Sequence, residues 1–259
     1  MSKVIAITNE KGGVGKTTTG TTLAYLLSKK GKRVLLIDYD GQANSTLIMS
    51  DENPNNIKIT ISTIINYIIK GEELPPKETY IIKSKGIDLI PSNANLFTLE
   101  TKLSTVNFRE YILKKFIDKI RVDYDYVIID CMPQIGTAML NVMVASDSLI
   151  IPTQAEILSA KGLLELIKHY QVIKNVNKDL KIDGILITMD KENTKSSKKV
   201  KEMLNNAFKE EINIFQTIIP RSIKVAEGTI YKKTICEYLP KNIVAKAYEK
   251  LVNEVLQIE

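Results

Sequence analysis

Short apolar runs alternate with longer amphipathic stretches along the chain. The runs span residues 4–7, 34–37, 87–90, 127–129, 149–151, 185–187 and 214–219. Several are almost continuous in isoleucine, valine or leucine, which is typical of strands buried on both faces of a sheet. The stretches with helical character span residues 16–30, 61–70, 108–121, 137–146, 156–176, 196–209 and 241–257. This alternation predicts an α/β fold with a mostly parallel, twisted sheet and helices on both faces.

No linker divides these elements into separate units. The least regular segments, 51–56 and 71–76, are short and turn-rich, which indicates surface insertions. The sequence has 259 residues, a length that α/β folds often reach as one domain. We therefore expect residues 1–259 to form a single domain.

A glycine-rich segment joins the first predicted strand to the first predicted helix. It reads Glu10-Lys11-Gly12-Gly13-Val14-Gly15-Lys16-Thr17-Thr18. Glycines let several backbone N–H groups turn towards phosphate oxygens, and the helix N-terminus adds its positive end. The segment predicts a phosphate-binding loop, with Lys16 against the β- and γ-phosphates and the Thr17 hydroxyl on Mg²⁺. Glu10 replaces the first glycine of the general pattern, and Lys11 is an additional lysine.

Aspartates follow two of the apolar runs. Asp38 and Asp40 end the run that begins at residue 34, and Asp130 ends the run Tyr126-Val-Ile-Ile. Ligands of open α/β sheets bind at the carboxyl ends of the strands, so all three carboxylates are expected beside the loop. The position of Asp130 is typical of a Walker B aspartate, which holds Mg²⁺ through its water shell.

Composition narrows the class of protein only slightly. The two cysteines, Cys131 and Cys236, are too few for a disulfide framework or a four-ligand zinc site. The first residues lack the pattern of a signal peptide, and no run approaches the ~20 apolar residues of a membrane span. These features favour a cytoplasmic protein.

The C-terminal third carries two groups of basic residues. The first contains Lys191, Lys195, Lys198, Lys199 and Lys201, and the second contains Arg221, Lys224, Lys232 and Lys233. The net charge of +6 permits a polyanionic partner without requiring one. Each group alone is more typical of a solvated surface. Together they suit a protein that binds the phosphates of DNA without reading its bases.

The loop Lys11-Gly-Gly-x-Gly-Lys16-Thr17 resembles the variant loop of the ParA/MinD family of P-loop ATPases. The resemblance extends from Lys3 through Ile219-Pro220-Arg221 to the last predicted helix. It implies that Lys11 reaches the phosphates bound by the partner of an ATP-sandwich dimer. It further implies that Asp38 helps to hold Mg²⁺, that Asp40 positions the attacking water, and that adenine lies near Met189 and the Pro220-Arg221 segment.

The resemblance implies a Mg²⁺-dependent ATPase that partitions DNA. In such a system the ATP-bound homodimer binds DNA non-specifically, associates with the nucleoid, and is released when a ParB-like centromere-binding protein stimulates hydrolysis. The basic residues expected at DNA are Lys198, Lys199, Arg221, Lys224, Lys232 and Lys233. No helix-turn-helix segment precedes the first predicted strand, so the chain resembles the short, Soj-like type.

Three residues depart from the family pattern. Gly41 stands where proline usually follows the second aspartate, and Met132 and Gln134 interrupt the usual Asp-Cys-Pro-Pro-Ser segment. Glycine has more backbone freedom than proline, so we expect a looser switch at Asp40.

Two other functions remain open at this point. A MinD-like membrane-positioning ATPase needs a basic amphipathic tail, whereas the sequence ends Val252-Asn-Glu-Val-Leu-Gln-Ile-Glu259. An iron-protein-like reductase needs cysteine ligands around a shared cluster, and Cys131 adjoins the Walker B aspartate. The DNA-partition function is favoured over both, and no membrane partner is expected.

Overall fold

The computed structural model describes residues 2–134, 136–191, 195–208 and 212–258, and its strands form one eight-stranded sheet. The strands are β1 Lys3–Ile7, β2 Val34–Tyr39, β3 Ile82–Ser84, β4 Ile87–Ile90, β5 Tyr126–Cys131, β6 Ser148–Gln154, β7 Lys181–Asp190 and β8 Ile214–Pro220. Their order across the sheet is β3-β4-β2-β5-β1-β6-β7-β8. Every neighbouring pair is parallel except β3 and β4. The predicted fold class is confirmed.

Helices connect the parallel strands and cover the sheet. They are α1 Lys16–Lys29, α2 Asn44–Met49, α3 Ile61–Lys70, α4 Asn95–Ser104, α5 Ile112–Ile120, α6 Thr137–Ala145, α7 Ile157–Ile173, α8 Lys195–Phe208, α9 Ile223–Ile230, α10 Ile235–Tyr238 and α11 Ile243–Gln257. Among the described residues, no helix has both the length and the apolar character that a membrane crossing requires.

Each face of the sheet has its own hydrophobic core. Successive side chains of a strand point to opposite faces, so Val4 and Ala6 join one core while Ile5 and Ile7 join the other. The first core packs α3 to α8 against the sheet, and the second packs α1, α2, α10 and α11. Both faces of the central strands are therefore apolar, which explains their uninterrupted hydrophobic runs.

The structure differs from the predicted elements in several places. Strand β3 was not predicted, because its pairing with β4 depends on a two-residue turn in which Lys85 and Gly86 both have positive φ, 54° and 84°. The helix predicted over 108–121 begins only at Ile112, because Phe108 is left-handed and a single 3₁₀ turn follows it. Four further helices, α2, α4, α9 and α10, were not predicted.

The centre of the sheet brings the predicted carboxylates together. Strands β2 and β5 are neighbours, and their register sets Asp38 directly opposite Asp130. Strand β1 pairs with the other edge of β5, where Ile7 lies opposite Asp130. The phosphate loop therefore leaves the sheet beside both aspartates.

Candidate functional site

The predicted phosphate loop connects the end of β1 to the start of α1. Gly13 and Gly15 have φ of 70° and 88°, in the left-handed region that glycine adopts most readily. The φ of Gly15 turns the chain directly into α1, whose first residue is Lys16. The first N–H groups of α1 therefore open into the loop, as binding of an anion requires.

The neighbouring strands β6 and β7 hold the loop in place. The Gln154 side-chain amide donates to the Gly13 carbonyl at 3.0 Å, and the Thr188 hydroxyl donates to the Val14 carbonyl at 2.7 Å. The Asn9 amide donates to the Pro152 carbonyl at 2.7 Å. These contacts are long-range in sequence, and sequence analysis did not identify them.

Lys16 lies inside the loop. Its side chain is largely buried, and its amine donates to the Lys11 carbonyl at 2.9 Å. Burial lowers the pKa of the Lys16 amine, and the negative charge of Asp130 opposes that shift. A buried ammonium group whose acceptor is a neutral carbonyl is strongly stabilised by a nearby anion, such as a phosphate group.

Lys11 has a different environment. Its amine forms an ion pair with Glu156 at 3.1 Å, and its side chain is 35% exposed. Lys11 is not among the residues that line the cleft over its own loop. The two lysines of the motif therefore differ in position, because the Lys16 amine lies inside the loop and the Lys11 side chain does not line the cleft.

Asp38 is fully buried at the end of β2. One of its oxygens accepts both the backbone N–H and the hydroxyl of Thr46, each at 2.7 Å. Asp130 lies opposite and accepts the Ser45 hydroxyl at 2.8 Å. Residues 45 and 46 belong to α2, an element that sequence analysis missed.

A bound cation would stabilise the charged forms of both buried carboxyl groups. Burial is the main cause that raises the pKa of Asp38 and of Asp130, and the Asp130 charge raises that of Asp38 further. The second Asp130 oxygen, Oδ1, is buried without a hydrogen-bond partner among the described residues. Carboxylate and hydroxyl oxygens are the ligands that Mg²⁺ prefers, so Thr17, Asp38 and Asp130 fit a magnesium site.

Asp40 follows β2 at the start of a tight turn. Its carbonyl accepts the Ala43 N–H and its carboxylate accepts the Gln42 N–H, both at 2.9 Å. Gly41, which was expected to loosen this switch, is packed against the ring of Phe97. The space beside Gly41 is therefore filled by a residue that sequence analysis did not identify.

A cleft of about 310 Å³ joins the loop to the Asp40 turn. Its lining residues are Gly12, Gly13, Gly15, Lys16, Thr17, Thr18, Asp40, Gln42, Asn44, Pro133 and Met189. Four segments that are distant in sequence thus meet at the carboxyl ends of the strands. Val14 is buried behind the loop, and Met132 is buried next to Pro133.

The predicted adenine contacts lie on β7 and β8. Met189 lines the cleft and has a positive φ of 51°, which turns the end of β7. The Arg221 N–H donates to the Asp190 carbonyl at 3.0 Å, and Pro220 is paired with Asp190. The Pro220-Arg221 segment therefore adjoins Met189, but neither of its residues lines the described cleft.

The six basic residues expected at DNA fall into two classes. Lys224 is paired with Glu227 at 2.8 Å, and the Lys232 amine donates to the Asp51 carbonyl at 2.9 Å. The remaining residues are exposed, namely Lys198, Lys199, Arg221 and Lys233. Lys198 and Lys199 lie on α8, which precedes the edge strand β8, and Arg221 directly follows that strand, whereas Lys233 lies in the turn between α9 and α10. The side chains of Lys195 and Lys201 lie outside the described part of the chain.

Comparison with known proteins identifies the family. The family model described as an AAA domain, AAA_31, matches residues 2–182. The sporulation initiation inhibitor protein Soj of Bacillus subtilis (strain 168) is 36% identical over 262 residues, which cover 98% of each chain. The chain belongs to the Soj/ParA family of partition ATPases. The resemblance inferred from the loop is confirmed.

Two solved structures share the fold over almost their full lengths. A plasmid partition protein of Borrelia burgdorferi B31, bound to AMPPNP, has a TM-score of 0.80 and 27% identity, covering 99% of each chain. Cobyrinic acid a,c-diamide synthase from Mycobacterium smegmatis, with bound ADP and magnesium, has a TM-score of 0.84 and 29% identity. The latter alignment covers 99% of this chain and 95% of the mycobacterial protein.

Proposed function

We propose that this chain is the ATPase of a DNA-partition system, in which ATP closes a homodimer that binds DNA non-specifically. Hydrolysis, stimulated by a ParB-like partner, then releases the dimer from DNA. The chain is an ATPase of the Soj/ParA family, and its ligands are ATP and Mg²⁺. The observation that carries the proposal is the cleft that unites the phosphate loop with Asp40. We also propose that residues 1–259 form one domain, which the single sheet supports.

The loop residues bind the triphosphate. Residues 12–18 direct their N–H groups towards the phosphate oxygens, and the Lys16 amine exchanges its Lys11 carbonyl for the β- and γ-phosphates. Thr17, Asp38 and Asp130 are the residues that would hold Mg²⁺. Bound Mg²⁺ neutralises charge on the phosphates. Met189 and the Pro220-Arg221 segment flank the adenine.

Asp40 activates the attacking water. It is the carboxylate that lines the cleft, whereas Asp38 and Asp130 are buried behind it. One Asp40 carboxylate oxygen accepts the Gln42 N–H, which holds the side chain in the turn at the cleft. At this point Asp40 positions the water and accepts its proton, which is the acid–base chemistry that hydrolysis requires from the protein.

Lys11 acts on the partner protomer. The Lys11 side chain does not line the cleft of its own chain and is paired with Glu156, which supports a role for its amine in the partner's site. In the closed dimer the Lys11 amine leaves Glu156 for the facing phosphates. A second lysine near the developing negative charge supplies what an arginine finger supplies elsewhere.

Lys11→Ala is expected to bind ATP within about twofold of the parent and to lose ATP-dependent dimerisation and hydrolysis. Sedimentation velocity with and without ATP, together with nucleotide titration, tests this expectation. Lys30→Ala, at an exposed lysine that follows α1, is the matched control. A Lys11→Ala variant that dimerises as fully as the parent would remove the proposed role in the partner.

The DNA-binding face is proposed to include Lys198, Lys199 and Arg221, which are exposed and adjoin the edge strand β8 in the chain. Lys233 is also exposed, but it follows Lys232, which is hydrogen-bonded to Lys85 in the turn between β3 and β4, at the other edge of the sheet. Lys224 and Lys232 contribute less, because internal partners already bind their amines. Dimerisation doubles the face, so DNA binding should require ATP.

Reversing both Lys198 and Lys199 to glutamate should weaken binding to two unrelated DNA duplexes equally. Each lost phosphate contact flattens the slope of log affinity against log salt by about 0.9, and the dimer carries each lysine twice, so we expect a change of about 3.6. Fluorescence anisotropy over a range of salt concentrations measures the slope. Reversing Lys115 and Lys119 on α5 changes the net charge equally and should have little effect. Equal losses in both double variants would show that only net charge matters.

A membrane-positioning function has less support. The apolar face of α11 contains Val244, Tyr248, Leu251 and Val255, all of which are buried against the protein. That face is therefore not available to lie on lipid. Parallel binding assays with DNA and with anionic liposomes, each with and without ATP, separate the two functions. Binding to liposomes but not to DNA would replace the DNA-partition proposal.

A further inference from the structure

The Phe97 ring occupies the space in which a side chain at position 41 would begin. A Cβ atom built on Gly41 would lie 2.7 Å from two ring atoms of Phe97 and 2.8 Å from a third. Optimal carbon–carbon contacts are about 3.5–4.0 Å long, so the ring and a Cβ cannot coexist there. The ring thus lies directly on the backbone of Gly41, the residue that follows Asp40.

An anchored helix holds this ring. Phe97 lies in the first turn of α4, where its neighbours Leu96 and Leu99 are each only 2% exposed. The Asn93 side chain accepts the Asn95 N–H and so satisfies one of the first donors of the helix. Phe97 itself is 41% exposed. Its ring therefore packs on the switch at the surface and contributes little to the core.

The same connection contacts the switch at a second point. The backbone N–H of Ser92, between β4 and α4, donates to the Thr46 hydroxyl at 2.9 Å. That hydroxyl in turn donates to Asp38 at 2.7 Å. The segment from Asp38 to Thr46 is thus contacted at two points, Gly41 and Thr46, by the connection between β4 and α4.

The Asp40 turn depends on the backbone at position 41. Asp40 accepts the Gln42 N–H with its carboxylate and the Ala43 N–H with its carbonyl, and Gly41 lies between these partners. Glycine has no Cβ to limit its dihedral angles. A ring packed on Gly41 supplies a restriction that the residue itself lacks.

We propose that Phe97 is a positioning residue for ATP hydrolysis, which holds the Asp40–Gly41 turn through its ring. The inference rests on the proposed function, in which Asp40 activates the attacking water. Phe97 does not line the cleft, so it acts on the reaction through the backbone and not on the nucleotide. Small misplacements of a catalytic group, of about 1 Å, can cost on the order of 100-fold in rate.

Phe97→Ala is expected to lower kcat at least tenfold and to leave the Kd for ATP within about twofold of the parent. Phe97→Leu, which retains apolar bulk, should recover part of the lost rate. Phe108→Ala removes a ring that is 73% exposed and distant from the turn in sequence, and it serves as the control with parent-like kcat. Urea unfolding of each variant verifies that the folded state persists. If Phe97 had only a structural role, Phe97→Ala would shift the unfolding midpoint but would not lower kcat selectively while leaving the Kd for ATP unchanged.

A double-mutant cycle with Gly41→Ala tests the contact itself. In the parent, the added Cβ displaces the half-exposed ring, so Gly41→Ala should lower kcat about as much as Phe97→Ala. In the Phe97→Ala background the same Cβ meets no ring, so its further effect on kcat should be under twofold. Fully additive losses, or a Phe97→Ala variant with parent kcat, would overturn the inference while the parent's hydrolysis still supports the proposed function. Failure of the parent to hydrolyse ATP would overturn both.

Discussion

Lys16→Ala should lose ATP binding by on the order of 100-fold, because charge-assisted hydrogen bonds to the phosphates contribute about 3 kcal/mol. The Lys16 amine is the basic group that the structure places inside the loop, and the Lys11 amine lies outside the cleft. No other lysine or arginine lines the cleft among the described residues. Isothermal titration with ATP and Mg²⁺ measures the loss directly.

Two controls separate a binding defect from misfolding. Lys29→Ala removes an exposed lysine from the opposite end of α1 and should leave the ATP affinity unchanged. ATP should raise the melting temperature of the parent and of Lys29→Ala but not that of Lys16→Ala, since a ligand stabilises only the protein that binds it. An affinity for ATP near that of the parent in Lys16→Ala would contradict the assignment of the loop.

Asp40→Ala should hydrolyse ATP roughly 100- to 10,000-fold more slowly, the usual range for removal of a general base. ATP binding and dimerisation should persist, because the phosphate contacts come from the loop. The variant should therefore remain dimeric in ATP for far longer than the parent. Phosphate release and sedimentation in the same buffer measure the two properties.

Asp40→Asn distinguishes proton acceptance from loop structure. Asparagine keeps an oxygen that can accept the Gln42 N–H, so the turn is retained. If Asp40 accepts a proton, Asp40→Asn should be as slow as Asp40→Ala. Hydrolysis at the parent rate in both variants would transfer the role to Asp38.

The phosphate loop could be predicted because its chemistry is local. The glycines, Lys16 and Thr17 lie within one short segment, and a strand before it and a helix after it are enough to set their geometry. The long apolar strands were equally clear, since burial on both faces leaves no polar alternation. The missed strand β3 and the late start of α5 depend on short-range geometry, namely the left-handed backbone at Lys85, Gly86 and Phe108.

The arrangement of the site could not be predicted from local sequence patterns alone. Sequence placed Asp38 and Asp130 at strand ends, but the direct opposition of the two aspartates depends on the pairing of β2 with β5, which are separated by two other strands in the chain. The hydroxyls of Ser45 and Thr46 reach these aspartates from α2, a helix with a weak sequence signal. The ion pair between Glu156 and Lys11 likewise joins two segments that are distant in the chain.

The sequence by itself determined the α/β fold class, the phosphate loop and the identity of the carboxylates, because each follows from a continuous pattern of residues. The tertiary structure alone decided which lysine lies in the cleft, which basic residues are already paired, and what lies beside Gly41. At position 41, sequence analysis predicted a loose hinge, whereas the fold places the Phe97 ring on the glycine. Packing between segments distant in the chain sets that contact, and no local pattern of residues encodes it.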